Sequence, residues 1–142
     1  MYTLQILFLG CGDLRNALNT VAHNKKQKLY IHLNDWNPSI IARNVLMLKV
    51  ISAPDFDTNN EDDVAFLWDL WYNAEWAEVT LKKFKSVLKE LLDNVLPENV
   101  VIAKSEYLQS LQSVWRSWHY YCSKIKSEAE LLMDKMHKER CD

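Results

Sequence analysis

Residues Ile6 to Asp13 read I-L-F-L-G-C-G-D, an uncharged apolar run that stops at two glycines and an acid. A run of this kind bounded by glycine suits a buried strand, and glycine is the residue that lets a backbone turn sharply or be approached closely. The chain of 142 residues has only two glycines and three prolines, and both glycines, Gly10 and Gly12, fall in this one turn. Asp13 then reads as an N-cap, with Leu14, Ala17, Leu18 and Val21 recurring at helical spacing to about His23. Strand, glycine turn and helix in that order open a βα unit.

The polar run Asn24 to Lys28 is the return loop. Leu29 to Asp35 (L-Y-I-H-L-N-D) is a second strand ending in an acid, the place where a ribose hydroxyl is held in ligand-binding folds of this kind. Asn37-Pro38 reads as an N-cap followed by proline at the first helical position. From Pro38 to about Ser52 nearly every residue is apolar except Arg43, Asn44 and Lys49, so this helix must be covered on most of its surface. Arg43 either finds a carboxylate, with Asp35 and Asp13 as candidates, or carries its charged head out to water. The two βα units together suggest the first half of a methyltransferase-type Rossmann domain.

Ala53-Pro54 ends this helix, and Asp55 to Asp63 (D-F-D-T-N-N-E-D-D) packs five carboxylates into nine residues. The glycine and distal glutamate of a calcium loop are missing, so the segment reads as a solvated linker whose last acids favour the next helix N-terminus. Val64 to Val95 is helical in pattern with a break near Asn73, and Ala77, Leu81, Phe84, Leu88, Leu91 and Val95 make one apolar stripe. Asn99 to Ala103 fits a short third strand or an extended connection.

The last segment, from about Ser105 to Lys138, carries an unbroken three-four repeat: Leu108, Leu111, Trp115, Trp118, Cys122, Ile125, Ala129, Leu132 and Met136. One helix of that length would run roughly 50 Å at 1.5 Å per residue. A compact domain of this size has a radius of gyration of about 15 Å. Part of the stripe is therefore expected to pack on another chain, a second protein or a second copy, or on a missing segment. The predicted interface comprises Leu108, Leu111, Trp115, Trp118, Cys122, Ile125, Leu132 and Met136. Of the six tryptophans, Trp68, Trp71, Trp115 and Trp118 are expected to meet where their two helices pair, leaving Trp36 and Trp76 as candidate partner anchors.

A net charge of −2 offers no basic field to nucleic acid, and no apolar run reaches the length of a membrane span. Met1 to Leu9 lacks the basic, long-hydrophobic pattern of a secretory signal. Three cysteines, Cys11, Cys122 and Cys141, are odd in number and far apart, which fits reduced thiols in the cytoplasm or nucleus. His137 and Cys141 share a helical spacing but have no further ligands nearby, so no metal site is expected. Cys11, beside a helix N-terminus, is either a low-pKa nucleophile or a small buried residue.

G-C-G-D-L-R-N at Gly10 to Asn16, N-D at Asn34-Asp35, A-R-N at Ala42 to Asn44, L-W-Y-N at Leu70 to Asn73 and W-R-S-W at Trp115 to Trp118 occur in order. In this set the chain resembles the domain of unknown function at the N-terminus of dynein axonemal assembly factor three and of MYND-type zinc-finger proteins, over nearly all of residues 4–120. The resemblance implies an intracellular helper or adaptor domain without established catalytic activity, and a natural protein longer than this chain. No MYND finger is encoded here, because three scattered cysteines cannot supply its ligands.

Gly10, Cys11, Gly12, Asp13 and Asp35 form the candidate cofactor site. In methyltransferase-type sites a third glycine follows the second by two residues and an acid precedes the first by two; here Leu14 and Phe8 stand in those places. Asp13 at a helix N-terminus would repel a phosphate, which favours the zwitterionic S-adenosylmethionine over a dinucleotide. The expected fold is α/β and helix-rich: a partial Rossmann, methyltransferase-like βαβα unit with two or three parallel strands (residues 1–54), the acidic loop (55–63) and a long helical hairpin (64–142) in one domain. The expected role is non-catalytic protein interaction over a vestigial site, with residual S-adenosylmethionine binding as the alternative.

Overall fold

The computed structural model describes residues 3–24, 26–73 and 75–124. Two strands and five helices follow one another: β1 (Thr3–Leu9), α1 (Arg15–His23), β2 (Lys28–Asn34), α2 (Pro38–Ile51), α3 (Glu61–Tyr72), α4 (Glu78–Leu92) and α5 (Ser105–Lys124). β1 and β2 pair in parallel, with α1 as the crossover that a parallel pair requires. The register sets Leu4, Ile6 and Phe8 beside Leu29, Ile31 and Leu33 on one face, and Gln5 and Leu7 beside Tyr30 and His32 on the other.

Among the described residues the sheet stops at these two strands. Asn99–Ala103 is a connection that begins in a turn and not the third strand: the Val100 N–H turns back onto the Pro97 carbonyl at 3.0 Å, and Val101 is 88% exposed. With no strand on its other edge among the described residues, β1 leaves Leu4, Leu7 and Leu9 exposed.

The main core is helical. Ala42, Val45, Leu46 and Val50 of α2, Phe66 and Leu70 of α3, Phe84, Leu88 and Leu91 of α4, and Leu111, Trp115 and Cys122 of α5 form one buried cluster. Burying a side chain of this size stabilises by about 1.5–3 kcal/mol, so the helical layer carries most of the stability. α2, whose sequence is apolar nearly all round, sits at its centre, touching α3, α4 and α5. Trp115 is wholly buried, and its indole N–H donates to the Ala42 carbonyl at 3.1 Å. That bond satisfies the one polar atom the ring brings inside.

The helix boundaries follow local chemistry. Asn37 caps α2 by accepting from the Ser39 N–H at 2.9 Å, with Pro38 in the first turn. α3 begins at Glu61, three residues before the apolar pattern, because Asn60 caps it by accepting from the Asp62 N–H at 2.9 Å. Glu61, Asp62 and Asp63 of the predicted acidic loop are thus the first turn of a helix, where carboxylates favour the N-terminal dipole. The break expected near Asn73 is present, and the Trp76 indole N–H caps α3 by donating to the Asp69 and Asn73 carbonyls, each at 3.0 Å.

α4 ends at Leu92 and excludes Val95 from its stripe. Asn94 adopts φ 62°, the Val95 N–H reaches the Glu90 carbonyl at 2.9 Å and the Asn94 N–H reaches Leu91 at 3.2 Å. These two bonds close a helix end with asparagine where glycine is the usual choice. The predicted pairing of tryptophan helices is also corrected: α5 packs on α4 and α2, whereas α3 packs on α2. Trp68 is 58% exposed and lies 4.6 Å from the Tyr72 ring instead of in the core.

Candidate functional site

The glycine turn lies where β1 hands over to α1, beside the end of β2. Gly10 and Gly12 have φ of +58° and +57°, the left-handed region that glycine enters without the penalty of a side chain. The Cys11 N–H donates to the Asn34 carbonyl at 2.9 Å and extends the parallel ladder by one step into the turn. Gly12 is then held at both ends of its residue: its N–H donates to Asp35 Oδ2 at 3.2 Å, and its carbonyl accepts from Asn44 Nδ2 at 2.7 Å.

Asp35 therefore does structural work. Its second oxygen, Oδ1, accepts from the Asn37 N–H at 3.0 Å and fixes the start of α2. Each carboxylate oxygen thus already has a backbone donor, the kind of charge-assisted bond that orders a turn. Asn44, wholly buried on α2, ties helix to turn and also sends Nδ2 towards the Cys11 sulfur at 3.7 Å. Sequence reasoning missed Asn44 as a member of this cluster. Its signal was present, since a polar residue in so apolar a helix must have an internal use.

Asp13 makes the capping bond expected of it, from one residue outside the helix boundary. The N-cap position falls on Leu14, which has no capping side chain, and α1 starts at Arg15. Asp13 accepts from the Arg15 N–H at 3.0 Å and from Arg15 Nε at 2.7 Å. The Arg15 hydrogen bond holds its carboxyl below the usual range, opposed by partial burial. Leu14, standing where a methyltransferase-type turn has its third glycine, is wholly buried and serves as the apolar anchor of α1.

Arg43 forms no ion pair with either predicted partner among the described residues, because backbone donors hold Asp35 and Arg15 holds Asp13. Its Nε is buried without a hydrogen-bond partner there, as is Oδ1 of Asn44. Cys11 is not activated: burial pushes its thiol above the ordinary value, and the Asp35 charge adds to the rise. A depressed value would be needed for a nucleophile at neutral pH.

Beneath the turn, a cavity of about 750 Å³ lies between α1, β2, α2 and the connection into α5. Its walls are largely apolar, with Leu14, Ala17, Leu29, Leu33, Ile41 and Val45 among them, and Asp35 and Asn44 at its border. Directly around the two glycines there is open space: a Cβ added at either would meet nothing within 4 Å. Among the described residues no group of three or more His, Cys, Asp or Glu is placed to hold a metal ion. None of the described helices is long and apolar enough to cross a membrane.

The predicted interface divides into two parts. Leu111, Trp115 and Cys122 are buried against the chain's own α2 and α4, and Leu108 and Trp118 are partly buried on the same core. These five turn inward, because α5 covers the helical layer before it can serve a partner. Ile125, Leu132 and Met136 lie outside the described residues, as do His137 and Cys141. Of the other tryptophans, Trp36 is 91% exposed, and Trp76 packs edge-on against Phe84 at 4.8 Å.

Neither a search of curated proteins nor one of solved structures gave a match. A family profile described as a domain of unknown function (DUF4470) matches residues 2–76, which spans β1 through α3 and contains the whole glycine turn with Asp35 and Asn44. The W-R-S-W motif of α5 lies beyond the matched stretch. With more than half its length inside that match, the chain belongs to the family of the domain of unknown function DUF4470.

Proposed function

We propose that this chain is a non-catalytic interaction domain, an assembly or adaptor module built on a degenerate methyltransferase-like βαβα scaffold. The observation that carries this reading is that the candidate site binds itself. Asp35 accepts from Gly12 and Asn37, Asn44 holds the Gly12 carbonyl, and Asp13 is taken by Arg15. A ribose seeking Asp35 would compete with two backbone donors that the fold already needs. Exposed Leu7, Leu9 and Trp36 near the same end of the sheet supply apolar surface for a protein partner.

The reading agrees with the resemblance to the domain shared by dynein axonemal assembly factor three and MYND-type zinc-finger proteins, which implies a helper role. The proposed setting is the cytoplasm or nucleus, and the proposed partner is another protein or a second copy, without nucleic acid or membrane. No cofactor is proposed.

A second reading, a methyltransferase remnant that still binds S-adenosylmethionine, is favoured by the open space above Gly10 and Gly12. Titration of S-adenosylmethionine and of its demethylated product, by calorimetry and thermal shift, separates the two. Silence from both ligands is the expected result. Saturable stabilisation that disappears in Gly12→Trp would replace the first reading with the second.

A further inference from the structure

β1 is a central strand by sequence and an edge strand by position. Its seven residues, T-L-Q-I-L-F-L, have no charge and no proline, and leucines point to both faces. Two-sided apolarity of this kind belongs to strands of a parallel sheet that have neighbours and cover. Edge strands are normally guarded against new pairing by charge, proline or a bulge. β2 carries Lys28 and His32, whereas β1 carries nothing of the sort. The edge of β1 away from β2 has no strand bonded to it among the described residues.

We infer that this edge pairs antiparallel with β1 of a second copy of the chain, making a four-stranded sheet in the order β2-β1-β1-β2. A two-fold axis across an antiparallel pair sets one residue opposite itself, and only an axis through Ile6 uses all of Thr3–Leu9. That register sets Leu4 opposite Phe8 of the other copy and Gln5 opposite Leu7, so no charge is buried and no like charges meet. It keeps Leu4, Ile6 and Phe8 of both copies on the cavity side of the sheet. It also supplies about six to eight new backbone hydrogen bonds. Two strands are a marginal sheet, and four are the common size. The second copy fits this edge for a physical reason: two uncharged strands meet without burying an unpaired charge, while a charged partner strand would find no counter-charge there.

The inference rests on the interaction-domain reading and names its partner. Light scattering of the whole chain across a wide concentration range should give twice 16.7 kDa at the upper end. Gln5 and Leu7 are both exposed, so substitution leaves the core intact. Gln5→Lys with Leu7→Lys puts lysine opposite lysine at two places across the axis and should weaken dimerisation about two- to thirtyfold. Gln5→Glu with Leu7→Lys puts opposite charges there and should restore the dimer, which a merely damaged strand would not do. A monomer at every concentration, or a dimer indifferent to both pairs of substitutions, overturns the inference. Such a monomer that also ignores S-adenosylmethionine leaves the interaction-domain reading standing, whereas cofactor binding removes that reading whatever the oligomeric state.

Discussion

Replacing Asp35 by asparagine separates a carboxylate that holds the fold from one that waits for a ligand. Asp35 receives two backbone donors, Gly12 N–H at 3.2 Å on Oδ2 and Asn37 N–H at 3.0 Å on Oδ1. Asparagine has the same shape but offers one oxygen and one NH2 group, so one of the two N–H groups must face another donor. Losing a hydrogen bond to a charged acceptor costs about 1.5–3 kcal/mol, and the surviving bond loses its charge assistance. Water recovers part of this, since the site is only partly buried, which leaves a net loss of about 2–3 kcal/mol. For a domain of this length that corresponds to a drop in Tm of roughly 6–12 °C.

The measurement is urea and thermal unfolding of the ligand-free chain, followed by tryptophan fluorescence at one fixed protein concentration. Asn44→Ala, which releases the Gly12 carbonyl, should be coupled to it, because both side chains hold the same residue. A double-mutant cycle is expected to give an interaction of at least about 0.5 kcal/mol. A stability change for Asp35→Asn within about 0.5 kcal/mol of zero, the range of an ordinary surface substitution, would refute the reasoning and return Asp35 to the role of a ligand-binding group.

Gly12→Ala should cost about 1–2 kcal/mol from its positive φ alone, since nothing lies within 4 Å to clash; a loss well above that in denaturant titration would reveal an unseen contact. Trp115→Ala should be the more damaging change, about 3–5 kcal/mol by the same assay, because it empties the centre of the helical core and frees the Ala42 carbonyl. Asp63 accepts from Lys83 at 2.7 Å, which holds its carboxyl below the usual carboxylate range, and the Asp57 N–H adds to the effect. A depressed folded-state pKa contributes stability above the unfolded carboxylate value near 3.9 and loses it as pH falls through the folded value. Lys83→Met should therefore remove stability at neutral pH and leave a shallower acid limb in Tm against pH; parallel acid limbs in the two proteins would contradict this. Cys11, its thiol raised by burial, should react with iodoacetamide at pH 7.5 more slowly in the folded chain than in urea, as read by mass spectrometry of its peptide.

What could be read from the chain alone was local. Two glycines in a single turn announced a sharp turn of the backbone at Gly10 and Gly12, Asn37-Pro38 announced a helix start, and Leu29 to Asp35 announced the second strand. Each of these depends on residues within a few positions of one another, where sequence and conformation are directly coupled. Caps formed by asparagine were harder to read: Asn60 and Asn94 moved the boundaries of α3 and α4, because either residue is equally at home in an ordinary loop.

Which surfaces meet was decided only by the tertiary structure. The stripe of Leu111, Trp115 and Cys122 looked available to a partner, yet it lies on the chain's own α2 and α4. An apolar stripe specifies that a face must be covered and carries no information about what covers it. The same holds for Asp35 and Asn44. Their presence was visible in the sequence, but their bonds to Gly12 join positions 23 and 32 residues apart, and long-range hydrogen bonds exist only once packing has brought those backbones together.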